Sequence, residues 1–132
     1  MISVQCRHLT LSEIADLHAI DEYNMMVRPL SYEFDLERDA AYAVIGLRMR
    51  RGTPCLYLTA VSGEREVQIV PAVLFGFDWQ EIPSDWQVRI TPEGDIDLLP
   101  SRLAAIEGWF ERYVGVDSRV VEIVNREVDR AR

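Results

Sequence analysis

Two histidines, His8 and His18, are the only side chains in this sequence that titrate near neutral pH without help from their surroundings. His18 has Glu22 four residues later, which sets an imidazole and a carboxylate on one helical face. That is one turn of a metal site, or a base with its orienting acid. No further histidine or cysteine completes a ligand set at a recognisable spacing, so the pair reads as ordinary helix surface. Glu93, Asp95 and Asp97 alternate across a turn, a carboxylate spacing that calcium can use. The loop lacks the length, the late bidentate glutamate and the glycine placement of an EF-hand, and a solvated hairpin turn is expected there. Neither a phosphate-cradling glycine loop nor a nucleophile elbow occurs. The sequence therefore predicts no cofactor, no metal and no nominated catalytic residue, and it leaves open whether the chain is an enzyme.

The most distinctive segment runs Phe75-Gly76-Phe77-Asp78-Trp79-Gln80-Glu81-Ile82-Pro83-Ser84-Asp85-Trp86. In an extended chain Phe75, Phe77 and Trp79 share a face. Aromatic side chains supply large contact areas, and acids around them select a basic partner and speed its encounter. Phe77, Asp78, Trp79, Glu81, Asp85 and Trp86 are the candidate binding residues. The competing assignment makes the aromatics the inner face of a sheet and the acids its polar rim.

Charge supports the acidic half of that idea. The 132 residues carry 22 acids against 14 bases, a net charge of −8, and every base is arginine. Residues 13–39 hold eight of the acids against Arg28 and Arg38, and residues 78–97 hold six against Arg89. Such a surface repels nucleic acid and anionic membranes and suits a basic protein partner. Cys6 and Cys55 are far apart in sequence and read as buried thiols in a reducing compartment. No apolar run resembles a signal peptide or a membrane span, so a cytoplasmic location is expected.

The elements that must position these residues follow from periodicity. Residues 2–8 alternate weakly, as a short strand does. Thr10 or Ser12, with Glu13 at capping-box spacing from Thr10, predicts a first helix reaching about Met25 and stopped by Pro29. Asp35 caps a second predicted helix that ends before Gly52, with Leu36, Ala40, Ala43, Val44 and Leu47 as one stripe and Tyr42, Ile45 and Met49 as another. From Cys55 the period becomes two. Cys55–Val61 and Glu66–Val70 flank a Ser-Gly turn, Ala72–Trp79 continues extended, and Trp86–Thr91 pairs with Asp95–Leu99 around Pro92-Glu93-Gly94. A third helix is expected over residues 101–113, with Leu103, Ile106, Trp109, Phe110 and Tyr113 buried. A fourth, capped by Asp117 or Ser118, reaches about Arg130. The β-branched run 120–124 leaves helix and strand both open for that stretch.

The expected fold is one α+β domain over residues 1–132. An antiparallel meander of four or five strands, about 55–99, is covered by two N-terminal and two C-terminal helices. The function that fits is a protein-interaction module that neutralises or escorts a basic protein, such as an immunity protein or antitoxin facing a toxin's cationic cleft. A small-molecule binder or enzyme with a pocket between sheet and helices is one alternative. A secretion chaperone of similar size and charge is another, although helices ahead of the sheet are a different element order. A homodimer through the Tyr42/Ile45/Met49 stripe or a sheet edge is a further expectation.

Overall fold

The computed structural model describes residues 2–14, 33–76 and 82–132. Among these, β1 (Ser3–Cys6), β2 (Ala41–Arg50), β3 (Thr53–Ala60), β4 (Gln68–Pro71), β5 (Phe75–Gly76), β6 (Trp86–Ile90) and β7 (Ile96–Pro100) form one antiparallel sheet. Three helices follow at the C-terminus: α1 (Ser101–Ala104), α2 (Trp109–Val114) and α3 (Ser118–Ala131). The mixed α+β class is as the sequence predicts.

The second predicted helix is not formed; its sequence is the central strand of the sheet. β2 pairs with β3 from Tyr42↔Ala60 to Arg50↔Thr53. Its other edge is shared, with Ala41–Ala43 on β1 and Leu47–Met49 on β7. A strand bordered on both edges and packed on both faces is buried at every position from Tyr42 to Leu47, so its sequence loses the alternation that would mark it as β. The two stripes that mimic helical faces do not survive as faces: Tyr42 shares a core with Val44 and Leu47, Ile45 enters the other, and a bulge between Val44 and Gly46 lets Leu47 return to the Val44 side three residues on. The supposed helix stop is a hairpin turn. Arg51 at φ 50° and Gly52 at φ 81° make the two-residue left-handed connection that matches strand twist.

The first predicted helix begins at its expected place but not in its expected form. Leu11–Glu13 is a single 3-10 turn, and Ile14 is already extended. Residues 15–32, including His18 and Glu22, lie outside the described residues. Two N-terminal helices over the sheet are therefore corrected in part, because one is a strand and the described start of the other is a turn. The meander is likewise corrected to a branched sheet, in which β2 borders β3, β1 and β7.

The hairpins read from residue 55 onward are present. β3 pairs β4 from Cys55↔Pro71 to Leu58↔Gln68, and β6 pairs β7 from Trp86↔Pro100 to Ile90↔Ile96. The third predicted helix is split into α1 and α2 at Gly108, which sits at φ 62°. Its buried face survives the break, since Leu103, Ile106, Trp109, Phe110 and Tyr113 all join one core. Asp117 caps α3 by accepting hydrogen bonds from the backbone N–H groups of Arg119 and Val120. The β-branched run is helical because Val120, Val124 and Val128 recur every fourth residue on the face that meets the sheet.

Alternation along β3 divides the interior into two layers. Leu56 and Leu58 point into a core with Val4, Cys6, Leu11, Tyr42, Val44, Leu47, Val70, Leu74 and Phe75. Tyr57, between them, points into the helix-covered core with Ile45, Leu99, Trp109 and the α3 valines. There its ring meets Trp109 edge-on at 4.8 Å and Phe110 at 5.2 Å. Both cysteines are free and buried, and burial raises both thiols, Cys55 to about 11.

Candidate functional site

Asp85 and Trp86 are the described members of the aromatic-acidic segment; Phe77, Asp78, Trp79 and Glu81 lie outside the described residues. Trp86 opens β6, opposite Pro100 of β7, and its backbone N–H donates to the Pro83 carbonyl. It is half-buried and packs against the first core, so it anchors its strand and still borders a cleft. Asp85 is exposed in the preceding turn. Phe75, the first aromatic of the segment, is a core residue whose ring meets Tyr42 edge-on at 6.0 Å.

Asp85 and Trp86 share a cleft of about 220 Å³ with Pro83, Glu127 and Arg130. Glu127 projects from α3 and is 4% exposed. It accepts from Arg102 at 3.2 Å and from Arg130 at 3.0 Å. Burial nevertheless pushes its carboxyl above the usual carboxylate range, with Arg102 opposing and Asp85 adding to the rise. Sequence reading does not single out Glu127, because nothing local distinguishes it from the exposed acids of the same helix. Its one signal is position: Val120, Val124, Glu127 and Val128 occupy a single helical face.

A second cleft, of about 370 Å³, lies between the β6–β7 turn and α2. Its wall carries Arg48 and Asp97, which face each other across β2 and β7 and form a two-pronged ion pair. Asp97 is 2% exposed, so the expected solvated turn describes Glu93 but not Asp97. The Arg48 guanidinium also lies 5.6 Å from the centre of the Tyr57 ring, and the Asp97 carboxylate holds it more firmly protonated than an ordinary arginine. Arg89 in this cleft donates to the Ala104 carbonyl, and Arg112 donates twice to Asp117. Among the described residues, no group of three or more histidine, cysteine, aspartate or glutamate side chains converges on a point that suits a metal ion. His8 approaches Glu13 at 3.4 Å, and Glu13 is held below its usual range chiefly by its hydrogen bonds from Arg38.

The acidic loop 33–39 ends at one border of β1, and β5 lies at the other. Gln5 in β1 pairs with Ala41 on one side and with Gly76 on the other, and its side chain donates to the Asp39 carbonyl. The loop bearing Glu33, Asp35, Glu37 and Asp39 is thus separated from β5 by the width of β1. All four of those acids are exposed.

Comparison with known proteins finds no matching family model, curated protein or solved structure. Among the described residues, no helix is long and apolar enough to cross a membrane.

Proposed function

We propose that this chain is a protein-interaction module that binds a basic protein and neutralises or escorts it, as an immunity protein or antitoxin does. The observation that carries this reading is how the charges are used. Arg38, Arg48, Arg65, Arg102, Arg112, Arg126 and Arg130 are each engaged with a carboxylate of the chain itself. Much of the basic complement is thereby neutralised internally. Glu33, Asp35, Glu37, Asp39, Glu64, Glu66 and Asp85 are exposed and take part in none of those pairs. An outward surplus of negative charge attracts cationic surfaces and accelerates their encounter.

The proposed contact surface combines Asp85 and Trp86 with their sequence neighbours Phe77, Asp78, Trp79 and Glu81, and extends to the acidic loop 33–39. Cys6 and Cys55, free and buried, suit the cytoplasmic location that belongs to the same proposal. An enzymatic reading has less support, because two arginines of the larger cleft, Arg48 and Arg112, are already paired with carboxylates of the chain.

The test is binding to the product of a neighbouring reading frame with a basic domain, followed by interferometry across a salt series. Association is expected to slow as salt rises. Asp78→Lys with Glu81→Lys, and separately Glu33→Lys with Glu37→Lys, should weaken binding while the circular dichroism melt stays unchanged. Affinity indifferent to salt and to both charge reversals would sink the reading.

A further inference from the structure

Among the described residues, β6 is an edge strand whose outer side pairs with no other strand. Thr91 donates its backbone N–H to the Asp95 carbonyl at the mouth of the β6–β7 turn, which fixes the hydrogen-bonding phase of the hairpin. Antiparallel alternation then aims the backbone groups of Gln87 and Arg89 at β7 and those of Val88 and Ile90 away from it. Among the described residues β6 pairs with β7 alone. The strand Trp-Gln-Val-Arg-Ile contains no proline, lysine or bulge, the usual devices that blunt an edge. Its outward residues are apolar and open, with Val88 at 69% and Ile90 at 70% exposure. They border an apolar row that crosses the sheet, since Ile90 faces Ile96 and Ile96 faces Met49, and all three are exposed.

We propose that this edge is a self-pairing surface, and that two copies of the chain join by antiparallel addition of β6 to β6 about a twofold axis at Val88. The strand is complementary to its own reverse. Pairing centred on Val88 spans all five strand residues; the Trp86 N–H stays with the Pro83 carbonyl, and the Val88 and Ile90 N–H groups of each copy donate to the Val88 and Trp86 carbonyls of the other. On the apolar side, Val88 meets Val88 and Trp86 meets Ile90. On the opposite side, Gln87 meets Arg89, and Asp85 lies diagonal to the Arg89 of the second copy, within reach of a long side chain. Arg89 donates through Nη1 to Ala104, which leaves its other donors for that carboxylate. Pairing centred one residue later would oppose Arg89 to Arg89 and Asp85 to Glu93, so charge selects the register. A basic protein lacks this match, because the edge itself carries an arginine between two exposed apolar residues.

The dimer and the binding of a basic protein are separable by the sign of their salt dependence. Two copies that each carry −8 repel, so salt should strengthen the dimer while it weakens the attachment of a cationic partner. Sedimentation equilibrium of the purified full chain, from micromolar to the highest soluble concentration, is expected to show a monomer–dimer equilibrium that tightens with salt. Val88→Pro removes an outward N–H and leaves the ladder to β7 intact; it should raise the dimer dissociation constant by about tenfold or more. Ile90→Lys, at an exposed site, provides the same test should the proline variant fold poorly. Asp85→Arg should weaken the dimer, and Asp85→Arg with Arg89→Asp should restore it. A wild-type chain that stays monomeric throughout overturns the proposal. So does a dimer unaffected by Ile90→Lys and by the charge pair.

Discussion

Arg48 and Asp97 clasp each other across two neighbouring strands, with Nε to Oδ1 at 2.7 Å and Nη2 to Oδ2 at 2.9 Å. The two residues are in direct cross-strand register, where side chains lie side by side. The pair is mostly removed from water, with 15% of the Arg48 side chain and 2% of the Asp97 side chain exposed. Its worth is therefore decided by what remains when one partner is lost. Asp97→Ala leaves a guanidinium facing the Tyr57 ring without its counter-charge. The expected loss is about 3 kcal/mol in urea unfolding. Arg48→Met with Asp97→Leu should recover most of it, because a well-packed apolar pair avoids desolvating two charges.

Gly46 sits where β2 recovers from its bulge, opposite Tyr57. A Cβ at this position would lie 2.7 Å from Leu99 Cδ2 and 3.2 Å from Tyr57 Cδ2, and both neighbours are fully buried. Gly46→Ala should therefore destabilise the chain by about 1–3 kcal/mol through overpacking, measured by thermal or urea unfolding. The same substitution inside a helix would be stabilising by roughly 1 kcal/mol, so its sign also distinguishes the strand from the helix that the sequence suggests.

That ambiguity shows where the sequence is legible. The hairpins Thr53–Pro71 and Trp86–Pro100 can be read because each turns at a glycine, Gly63 or Gly94, with β6 largely open and with β3, although buried on both faces, carrying the β-forming Tyr57 and Thr59. β2 cannot be read in this way. Ala41, Ala43, Leu47, Arg48, Met49 and Arg50 are good helix formers, and their strand conformation is imposed by β3 across the tight turn together with β1 and β7, which are distant in sequence. The Asp117 cap and the valine stripe of α3 are legible because both are local. For the candidate site the division is similar. The acidic excess is visible in composition, whereas the partners of Asp97 and Glu127 depend on long-range register and helix docking that no short window contains.

Asp117 ties the end of α2 to the start of α3. Its Oδ1 accepts from the N–H groups of Arg119 and Val120, while Oδ2 accepts from the Arg112 guanidinium at 2.9 Å and 3.0 Å. These bonds, the Arg112 pair first among them, hold its carboxyl below the usual aspartate range. A lowered folded-state pKa means stability that is present above the unfolded value and is lost as pH falls through the folded one. Asp117→Ala should thus lower the melting temperature at neutral pH and flatten the acid limb of the stability curve. An unchanged acid limb would show that the cap contributes nothing there.

Glu127 has the opposite sign. Its folded-state pKa is raised, chiefly by burial, against the pull of Arg102 and with a push from Asp85. A carboxyl with a raised pKa binds its proton more readily in the folded chain than in the unfolded one. Its contribution is therefore fully present below the ordinary glutamate range and is lost as pH rises through the folded value. Glu127→Gln removes that dependence while keeping the shape of the side chain. The stability of the wild-type chain relative to this variant should fall between mildly acidic and neutral pH, as read from urea midpoints on a pH series. Asp85→Asn relieves the neighbouring negative charge, so the same fall should shift to lower pH in that background. If the wild type and Glu127→Gln run parallel across the range, the arginines rather than burial govern this carboxyl. The cleft beside Trp86 then holds a permanent anion instead of a titrating one.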